Sequence, residues 1–373
     1  MRMTAVQSDG AKKATILVQY DTNLRTYSRF AEDIEHQVRA LLDSSKIAYN
    51  SITHRVKTWS SLAEKIDRKN KYSKLEDITD IVGVRVITYY SEDVDRVADI
   101  IEAEFNVDHE NSIDKREALE PDKFGYCSVH YVVQMSSERL ALRENQGYRG
   151  IKCEIQIRSV LQHAWAEIEH DTGYKSETPI PKELRRSFSR IAGLLEIADK
   201  EFNNIRRELS QYKEDAAKNL STQEFLSKEL DAIIIDVVLQ TDSSLRLLNA
   251  HISSLFGEPL DNEINTSNVT SIIEKLNWIG VHTVNELLTV TREHSELAMK
   301  IADILLKDYT SDDNDSRVLS TIGLFYLCYA VLVARGCTAD DIRRYMEANS
   351  ISPYEDNSEF IQKLLSVKQL VCQ

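Results

Sequence analysis

The pattern of apolar and polar positions changes three times along the chain. Asp21 is a suitable N-cap for an apolar stripe of helical period that runs to Leu41. Further helical spacing predicts two short helices: 61–70 and 94–105. Segments that are β-branched and partly alternating predict three strands: 83–90, 129–135 and 151–159. This mixture is typical of an α/β or α+β domain.

A long uninterrupted helix is predicted next. From Leu184 to Leu209 the apolar residues follow a 4-3 rhythm, which gives the helix one apolar stripe. Because this seam is short, we expect the stripe to pack on the sheet of its own domain and on later helices, and not in a dimeric coiled coil. A homo-oligomer remains open.

Beyond residue 215 every periodic segment has helical spacing: 224–256, 267–277, 283–307, 316–335 and 339–348. One of these segments, 318–334, is apolar on all sides and is therefore expected to be buried by its neighbours. The sequence predicts three segments along the chain: an N-terminal helical segment (1–44), the mixed domain ending in the long helix (45–214), and an all-α accessory or regulatory domain (215–373).

Composition argues against secreted, disulfide-rich and membrane-spanning classes of protein. The chain has 373 residues, of which 42% are hydrophobic and 28% charged, and its five scattered cysteines form no metal-binding or disulfide pattern. The first twenty residues contain no signal-peptide core, and the uncharged run 318–334 is too short for a membrane span. These features predict a cytoplasmic protein without a membrane partner.

Charge is unevenly distributed. The formal net charge is −14, yet residues 1–70 carry +4 and residues 211–373 carry −11. A small basic region beside an acidic remainder favours a local anion site over a general nucleic-acid coat. The alternative is that the acidic helices simply solvate the C-terminal half.

A group of basic and hydroxyl residues surrounds the start of the second predicted helix. Ser61 and Glu64 fit a capping box, which predicts that the helix begins at Ser61. Lys65 then lies one turn into the helix, and Arg55 and Lys57 lie on the approaching chain. A helix N-terminus with several cations suits a polyphosphate. A solvated basic helix face is the alternative.

Two acidic residues are associated with separate predicted strands. Asp80 lies just before the first strand, which contains Arg85. On the third strand, alternation places Glu154, Gln156 and Arg158 on one face. Two carboxylates from separate strands can hold a divalent metal against phosphate oxygens. A surface carboxylate is the alternative for each.

The segment before the second strand combines a flexible backbone with a ring and two polar side chains. It contains Gly125, Tyr126, Ser128 and His130. Such a loop can hold a nucleobase by stacking and by hydrogen bonds to its edge.

In order and spacing, these segments resemble the RelA/SpoT-type pyrophosphokinase (alarmone synthetase) domain. The resemblance covers about residues 45–210. Five motifs carry it: Arg55, Lys57, Ser61 and Lys65; Asp80, Gly83 and Arg85; Gly125, Tyr126, Ser128 and His130; Glu154, Gln156 and Arg158; and Trp165, Glu169, His170, Tyr174 and Lys175.

The resemblance implies a nucleotidyltransferase-like fold, with a mixed five-stranded sheet flanked by helices. It implies transfer of pyrophosphate from ATP to the ribose 3′-hydroxyl of an acceptor, with release of AMP. Carried over by position, four residues would contact the ATP phosphates: Arg55, Lys57, Ser61 and Lys65. Arg85 would lie on the adenine side.

The resemblance also implies a metal cofactor and an acceptor site. Asp80 and Glu154 would bind Mg²⁺, and Glu154 would also deprotonate the 3′-hydroxyl. Tyr126 would stack on the acceptor base, with three polar side chains near it: Ser128, His130 and Gln156.

Two departures from the family pattern bear on function. Phe124 stands where many guanine-using members have Asn, which weakens the inference of a guanine acceptor. The only His-Asp pair, His170–Asp171, lies inside the synthetase segment, and about fifty leading residues are too few for the hydrolase domain of the long members. We therefore expect no alarmone hydrolysis.

Three functions follow from these features. The first is a stand-alone synthetase that uses GTP or GDP as acceptor and makes (p)ppGpp. The second is a toxic small synthetase that pyrophosphorylates the 3′-CCA end of tRNA, with 215–373 as a fused antitoxin or sensor in phage defence. The third is a nucleotide-binding regulator without activity, which the pair Asp80 and Glu154 argues against. We expect the C-terminal domain to restrain the synthetase until a trigger protein or ligand binds it. The alternative is that this domain completes the core or mediates oligomerisation.

Overall fold

A computed structural model describes residues 2–114, 128–171, 182–261, 266–307, 317–351 and 357–371. The chain divides into two compact units, 1–206 and 207–373. The first unit includes the N-terminal segment that the sequence predicts as separate. Phe30, Ile34 and Val38 of that segment are fully buried in the core of the first unit.

The first unit alternates helices and strands. Its strands are β1 (Tyr49–Val56), β2 (Val82–Thr88), β3 (Phe105–Val107), β4 (Ile113–Asp114), β5 (Val129–Met135) and β6 (Cys153–Ser159). Its helices are α1 (Arg2–Ser44), α2 (Trp59–Lys69), α3 (Ser91–Glu104), α4 (Ser137–Leu140), α5 (Val160–Glu169) and α6 (Lys182–Asn219), the last of which continues into the second unit.

The strands form one mixed sheet in the order β1-β2-β6-β5-β3. Only β2 and β6 are parallel; the other neighbours are antiparallel. The predicted fold class is confirmed. The sheet has one strand more than the five predicted, because the two-residue strand β4 also pairs with β5. Parallel register places Gly83 beside Glu154 and Arg85 beside Gln156.

The two faces of the sheet differ in polarity. Val84, Ile155 and Ile157 point into the hydrophobic core, where they are almost completely buried with α1 and α3. Strand alternation then places Arg85 and Glu154 on the opposite face. The predicted polar face of β6 is therefore observed.

The predicted start of α2 is wrong by two residues. Thr58 is the N-cap, and its hydroxyl accepts a hydrogen bond from the Ser61 amide at 3.3 Å. The predicted capping box of Ser61 with Glu64 does not form, because Thr58 offers the same hydroxyl three residues earlier. Lys65 consequently lies in the middle of α2 and not near its N-terminus.

Helix α6 packs by a different face from the one predicted. Ile191, Phe202 and Ile205 of the apolar stripe remain about half exposed, at 49, 50 and 50%. Buried polar residues attach the helix instead: Asp199 accepts a hydrogen bond from Ser159 at 2.8 Å. Specific polar contacts of this kind determine which face is buried.

A second set of polar contacts holds α6 to the start of α3. The guanidinium of Arg206 lies 2.6 Å from the fully buried carboxylate of Asp93 and stacks over the ring of Tyr90. Asn203 donates a hydrogen bond to Ser91 at 2.7 Å.

The described part of the second unit is helical, as predicted. After the end of α6 come α7 (Gln223–Leu226), α8 (Ala232–Thr241), α9 (Ser243–Phe256), α10 (Thr266–Trp278), α11 (Val284–Leu305), α12 (Ile322–Ala334), α13 (Ala339–Ala348) and α14 (Ser358–Val371). Helix α12 is buried on nearly all sides, which confirms the expectation for this segment. Within the described ranges, none of the helices is both long and apolar enough to cross a membrane.

Candidate active site

Two lysines converge on one carboxylate at the edge of the polar face. The ammonium groups of Lys65 and Lys57 lie 2.7 and 3.1 Å from Oδ2 of Asp80. The other oxygen of Asp80, Oδ1, is buried and has no hydrogen-bond partner among the described residues. A buried carboxylate oxygen without a partner is costly, which is typical of a site that receives a ligand.

The local fold fixes these three side chains. Lys57 follows the last residue of β1, and its amide donates to the carbonyl of Ile81 at 2.8 Å. The hydroxyl of Tyr20 donates to the carbonyl of Lys57. Asp80 lies two residues before β2, and Lys65 lies on the second turn of α2. The backbone on both sides of Lys57 is therefore anchored next to Asp80.

Glu154 accepts hydrogen bonds on both carboxylate oxygens. His130 Nδ1 lies 3.3 Å from Oε1, and the amide nitrogen of Gln156 lies 2.7 Å from Oε2. Because a carboxylate only accepts, His130 must donate through Nδ1, and a neutral ring then accepts from the hydroxyl of Ser128 at 2.7 Å. Ser128 and His130 are both buried.

The charge state of Glu154 follows from these partners. Burial alone would raise the pKa of Glu154. The hydrogen bonds from His130 and Gln156 and the positive charge of Lys65 outweigh burial and lower the pKa to about 2. Glu154 is thus ionised at neutral pH, and Lys65 is close enough to act on both acids.

The two acids fit a divalent cation bound together with phosphate. Mg²⁺ usually takes one or two protein carboxylates and completes its shell with water and substrate phosphate oxygens. Asp80 offers an unused buried oxygen, and Glu154 is ionised. Within the described part of the chain, no cluster of three or more His, Cys, Asp and Glu could hold a metal. A metal held by the two acids would take its remaining ligands from water and substrate phosphates.

A cavity of about 310 Å³ opens on this sheet face, and its lining includes Gly83, the neighbour of Glu154 across β2 and β6. Arg55 and Arg85 line it from β1 and β2, and Gln156 lines it from β6. Gly83 lies beneath Arg55, so that a β-carbon at this position would come within 3.6 Å of Nε of Arg55. The guanidinium of Arg85 is held by Glu167 at 3.0 Å.

The structure brings most of the predicted site residues together. Asp80, Lys57 and Lys65 form one group, and Glu154 forms a second with three residues of its sheet face: Ser128, His130 and Gln156. Arg55 and Arg85 line the cavity. Ser61 is exposed in the first turn of α2, apart from these contacts. Tyr126 lies outside the described residues.

The sequence interpretation missed one residue that lines the cavity and the burial of a residue that it had named. Glu167 lines the cavity, whereas the sequence pointed to Glu169 on the same helix. The i,i+4 spacing of His163 and Glu167, whose side chains lie 3.6 Å apart, was the available signal. Arg158 was placed on the correct face but not expected to be buried; it is 9% exposed.

Comparison with known proteins identifies the family. The model of a family described as "Region found in RelA / SpoT proteins" matches residues 54–179, which contain both candidate acids. GTP pyrophosphokinase YwaC of Bacillus subtilis (strain 168) is 30% identical over 169 residues, which are 43% of this chain and 77% of that protein. The chain belongs to the RelA/SpoT family of pyrophosphokinases.

One further curated relative and one solved structure each match about half of the chain. GTP pyrophosphokinase YjbM of B. subtilis (strain 168) is 28% identical over 204 residues, which are 52% of this chain and 91% of that protein. The crystal structure of small alarmone synthetase 1 from B. subtilis is 26% identical, with a TM-score of 0.44, and covers 52% of this chain and 98% of its own.

Proposed function

We propose that the chain transfers the β,γ-pyrophosphate of ATP to the 3′-hydroxyl of GTP or GDP and so makes (p)ppGpp. The bond from the 3′-oxygen to the β-phosphorus forms, the bond between the α,β-bridging oxygen and the β-phosphorus breaks, and AMP leaves. The observation that carries this proposal is the open buried oxygen of Asp80 beside Lys57, Lys65 and the ionised Glu154.

The ATP half of the site lies between β1, β2 and α2. Lys57 and Lys65 both contact Asp80, and they would turn to the phosphates when ATP binds. The cavity on the polar sheet face has two guanidinium groups, Arg55 and Arg85, which suit the flat face of adenine. Ser61 would add a hydroxyl donor to the phosphates.

The two acids would divide the chemistry between them. Asp80 and Glu154 would hold Mg²⁺, which when bound supplies neutralisation of the phosphate charge. Glu154, as a carboxylate at neutral pH, would accept the proton of the 3′-hydroxyl. Catalysis of this kind rests on positioning and charge stabilisation more than on covalent chemistry.

The acceptor half would lie towards β5. His130 lies near the start of β5 and contacts Glu154, and Ser128, just before the strand, contacts His130. Tyr126 would stack on the acceptor base from the preceding segment. The relatives YjbM and YwaC are named GTP pyrophosphokinases, which supports a guanine nucleotide as acceptor.

One labelling experiment tests the acceptor. The full-length protein is incubated with γ-labelled ATP, Mg²⁺ and either GTP, GDP or deacylated tRNA, and the labelled products are separated. Label in a guanosine tetra- or pentaphosphate supports the proposal. Transfer to none of the acceptors, by protein that is folded and binds ATP, would reject it. The same protein incubated with (p)ppGpp and Mn²⁺ should release no pyrophosphate.

A basic surface at the end of α2 favours tRNA as a second candidate acceptor. Within ten residues the chain carries five cations and one acid, beginning with Lys65, which contacts Asp80: Lys65, Asp67, Arg68, Lys69, Lys71 and Lys74. Such a surface suits a phosphate backbone. Label on the 3′ end of tRNA, with none on GTP or GDP, would establish this acceptor instead.

A further inference from the structure

Arg158 is a buried cation that the proposed reaction does not use. Its side chain is 9% exposed, and it does not line the cavity that contains Arg55 and Arg85. One nitrogen of its guanidinium, Nη2, lies 3.2 Å from the amide oxygen of Gln156, whereas Nε has no partner in the described part of the chain. Burial, together with the nearby charge of Arg85, lowers the pKa of Arg158. Because burial of a guanidinium is unfavourable, we expect the contacts of Arg158 to have a role.

The contact with Arg158 determines the orientation of the amide of Gln156. A guanidinium has only donors, so the side-chain oxygen of Gln156 must face Arg158. The amide nitrogen of Gln156 then faces Glu154, and it donates to Oε2 at 2.7 Å. Both ends of the Gln156 amide are thus used within the protein.

We propose that Gln156 is a positioning residue for Glu154, and that Arg158 fixes the amide of Gln156 in the orientation that donates to Glu154. This inference rests on the proposed function, and it replaces the expectation that Gln156 contacts the acceptor. Together with His130 on Oε1, the pair Arg158 and Gln156 holds the carboxylate of Glu154 from both sides.

Removal of Arg158 would release this constraint. Without the guanidinium, the oxygen of the Gln156 amide loses its partner, and the side chain can turn away from Glu154. Oε2 of Glu154 then loses its donor. Glu154 would then leave the position at which it meets the metal and the 3′-hydroxyl. The fold should survive, because Met retains most of the buried aliphatic stem and removes a guanidinium whose burial is costly and whose Nε has no partner among the described residues.

Steady-state kinetics of the full-length protein separates positioning from acceptor contact. In Gln156→Met we expect kcat to fall about 30-fold, as is usual for the loss of an outer-shell partner, and the KM for the acceptor to stay within about threefold. Arg158→Met should lower kcat similarly, and Arg158→Lys, which keeps a donor, should stay within about fivefold of the parent. Tyr131→Phe, on the other face of β5, is the control and should leave both constants unchanged.

The double variant tests whether Arg158 acts through Gln156. In a Gln156→Met background, Arg158→Met should cause no further loss, because the amide it orients is already gone. Multiplicative losses would show that Arg158 acts independently. A raised acceptor KM with unchanged kcat in Gln156→Met would place Gln156 on the acceptor. Either result overturns the inference.

A measurement without substrates keeps the inference separate from the proposed reaction. In ¹H–¹⁵N spectra, the side-chain amide of Gln156, assigned by its loss in Gln156→Met, should exchange slowly with solvent in the parent and quickly in Arg158→Met. Equal exchange in both proteins would overturn the inference even if transfer to GTP is found. Slow exchange lost in the variant would support it even if transfer is not found.

Discussion

Strand β6 of the first unit and helix α12 of the second are central elements of their cores, yet they bury different side chains. On β6, Ile155 and Ile157 are fully buried on one face, while Glu154 and Arg158 are largely buried on the other. On α12, the residues between Leu324 and Val333 are at least 90% buried except Phe325, and none is charged.

The difference shows that the first unit depends on specific polar contacts, whereas the second depends on apolar packing. Charges in the first unit are held by mutual contacts that only one arrangement satisfies, as for Glu154 between His130 and Gln156. In the described part of the second unit, the one buried charge is Lys275, which donates to Ser271 at 2.5 Å. A core of this second kind supplies stability through packing, and it tolerates exchange of apolar side chains more easily.

The largest expected effect is on transfer activity in the first unit. Asp80→Asn and Glu154→Gln should each reduce turnover by about a hundredfold or more, because each removes a charge at the metal and phosphates. Each variant also loses contacts of its carboxylate, with two lysines for Asp80 and with His130 for Glu154, so the melting temperature should fall; circular dichroism must show folded protein at the assay temperature. Glu64→Gln on the exposed side of α2 is the matched control. If both variants retain turnover within tenfold of the parent, the assignment of the acids is wrong.

A cavity in α12 should have the largest effect on the second unit. Leu327 is completely buried, so Leu327→Ala should cost about 3 kcal/mol in the free energy of unfolding. Urea denaturation followed by circular dichroism measures this cost. A value below about 1 kcal/mol would show that the core around α12 is loosely packed, and the comparison with β6 would not hold.

Removal of the second unit tests whether it restrains the first. A chain that ends after Asn219 keeps α6 whole and with it the ion pair of Asp93 and Arg206. We expect turnover to rise about fivefold, at the lower end of allosteric coupling energies. Restraint also predicts that the fragment is soluble and has the helix content expected for residues 1–219. An insoluble fragment, or a folded one no faster than the full chain, would reject restraint.

A buried hydroxyl in α12 offers a smaller effect of opposite sign. The hydroxyl of Tyr329 is buried and has no hydrogen-bond partner in the described part of the second unit. Tyr329→Phe should therefore raise the free energy of unfolding by about 1 kcal/mol. Phe325→Leu, a neighbour on the same helix, is the control for general repacking. A loss of stability in Tyr329→Phe would mean that the hydroxyl has a partner such as a water molecule.

The smallest expected effect concerns a partly exposed ion pair of the first unit. Lys152 lies 2.7 Å from Asp108, and its hydrogen bond lowers the pKa of that carboxyl. A lowered pKa adds stability above the unfolded value near 4, and this stability is lost as the pH falls through the folded value. Asp108→Asn should therefore cost less than about 1 kcal/mol at pH 7, since water screens the pair, and nothing at pH 2. Urea denaturation of the parent and of Asp108→Asn at pH 7 and pH 2 measures this difference in the free energy of unfolding. The same difference at both pH values would contradict the prediction.

Much of the fold could be predicted because the local patterns were strong. The strand at 129–135 and the helix at 339–348 were predicted to the residue, since period and turn signals agree there. The start of α2 was missed because Thr58 and Ser61 are both good N-caps and lie three residues apart. The packing face of α6 was missed because partners such as Asp93 are distant in sequence.

The sequence predicted which residues belong to the candidate site but not how their side chains contact one another. The motifs identified both acids, whereas the approach of Lys57 and Lys65 to one oxygen of Asp80 depends on how β1 and α2 meet β2. The burial of Arg158 depends on what covers the polar face of the sheet. The periodicity of one strand shows neither how β1 and α2 meet β2 nor what covers the polar face of the sheet.

The parallel pairing of β2 with β6 has a consequence for the growing chain. Gly83 and Glu154 are neighbours in the sheet but 71 residues apart in sequence, so the pairing carries a long loop-closure cost and a slow step in folding. A nascent chain that has not yet passed β6 carries Asp80 without Glu154. Because the proposed transfer needs both acids, we expect activity only after the sheet has closed around β6.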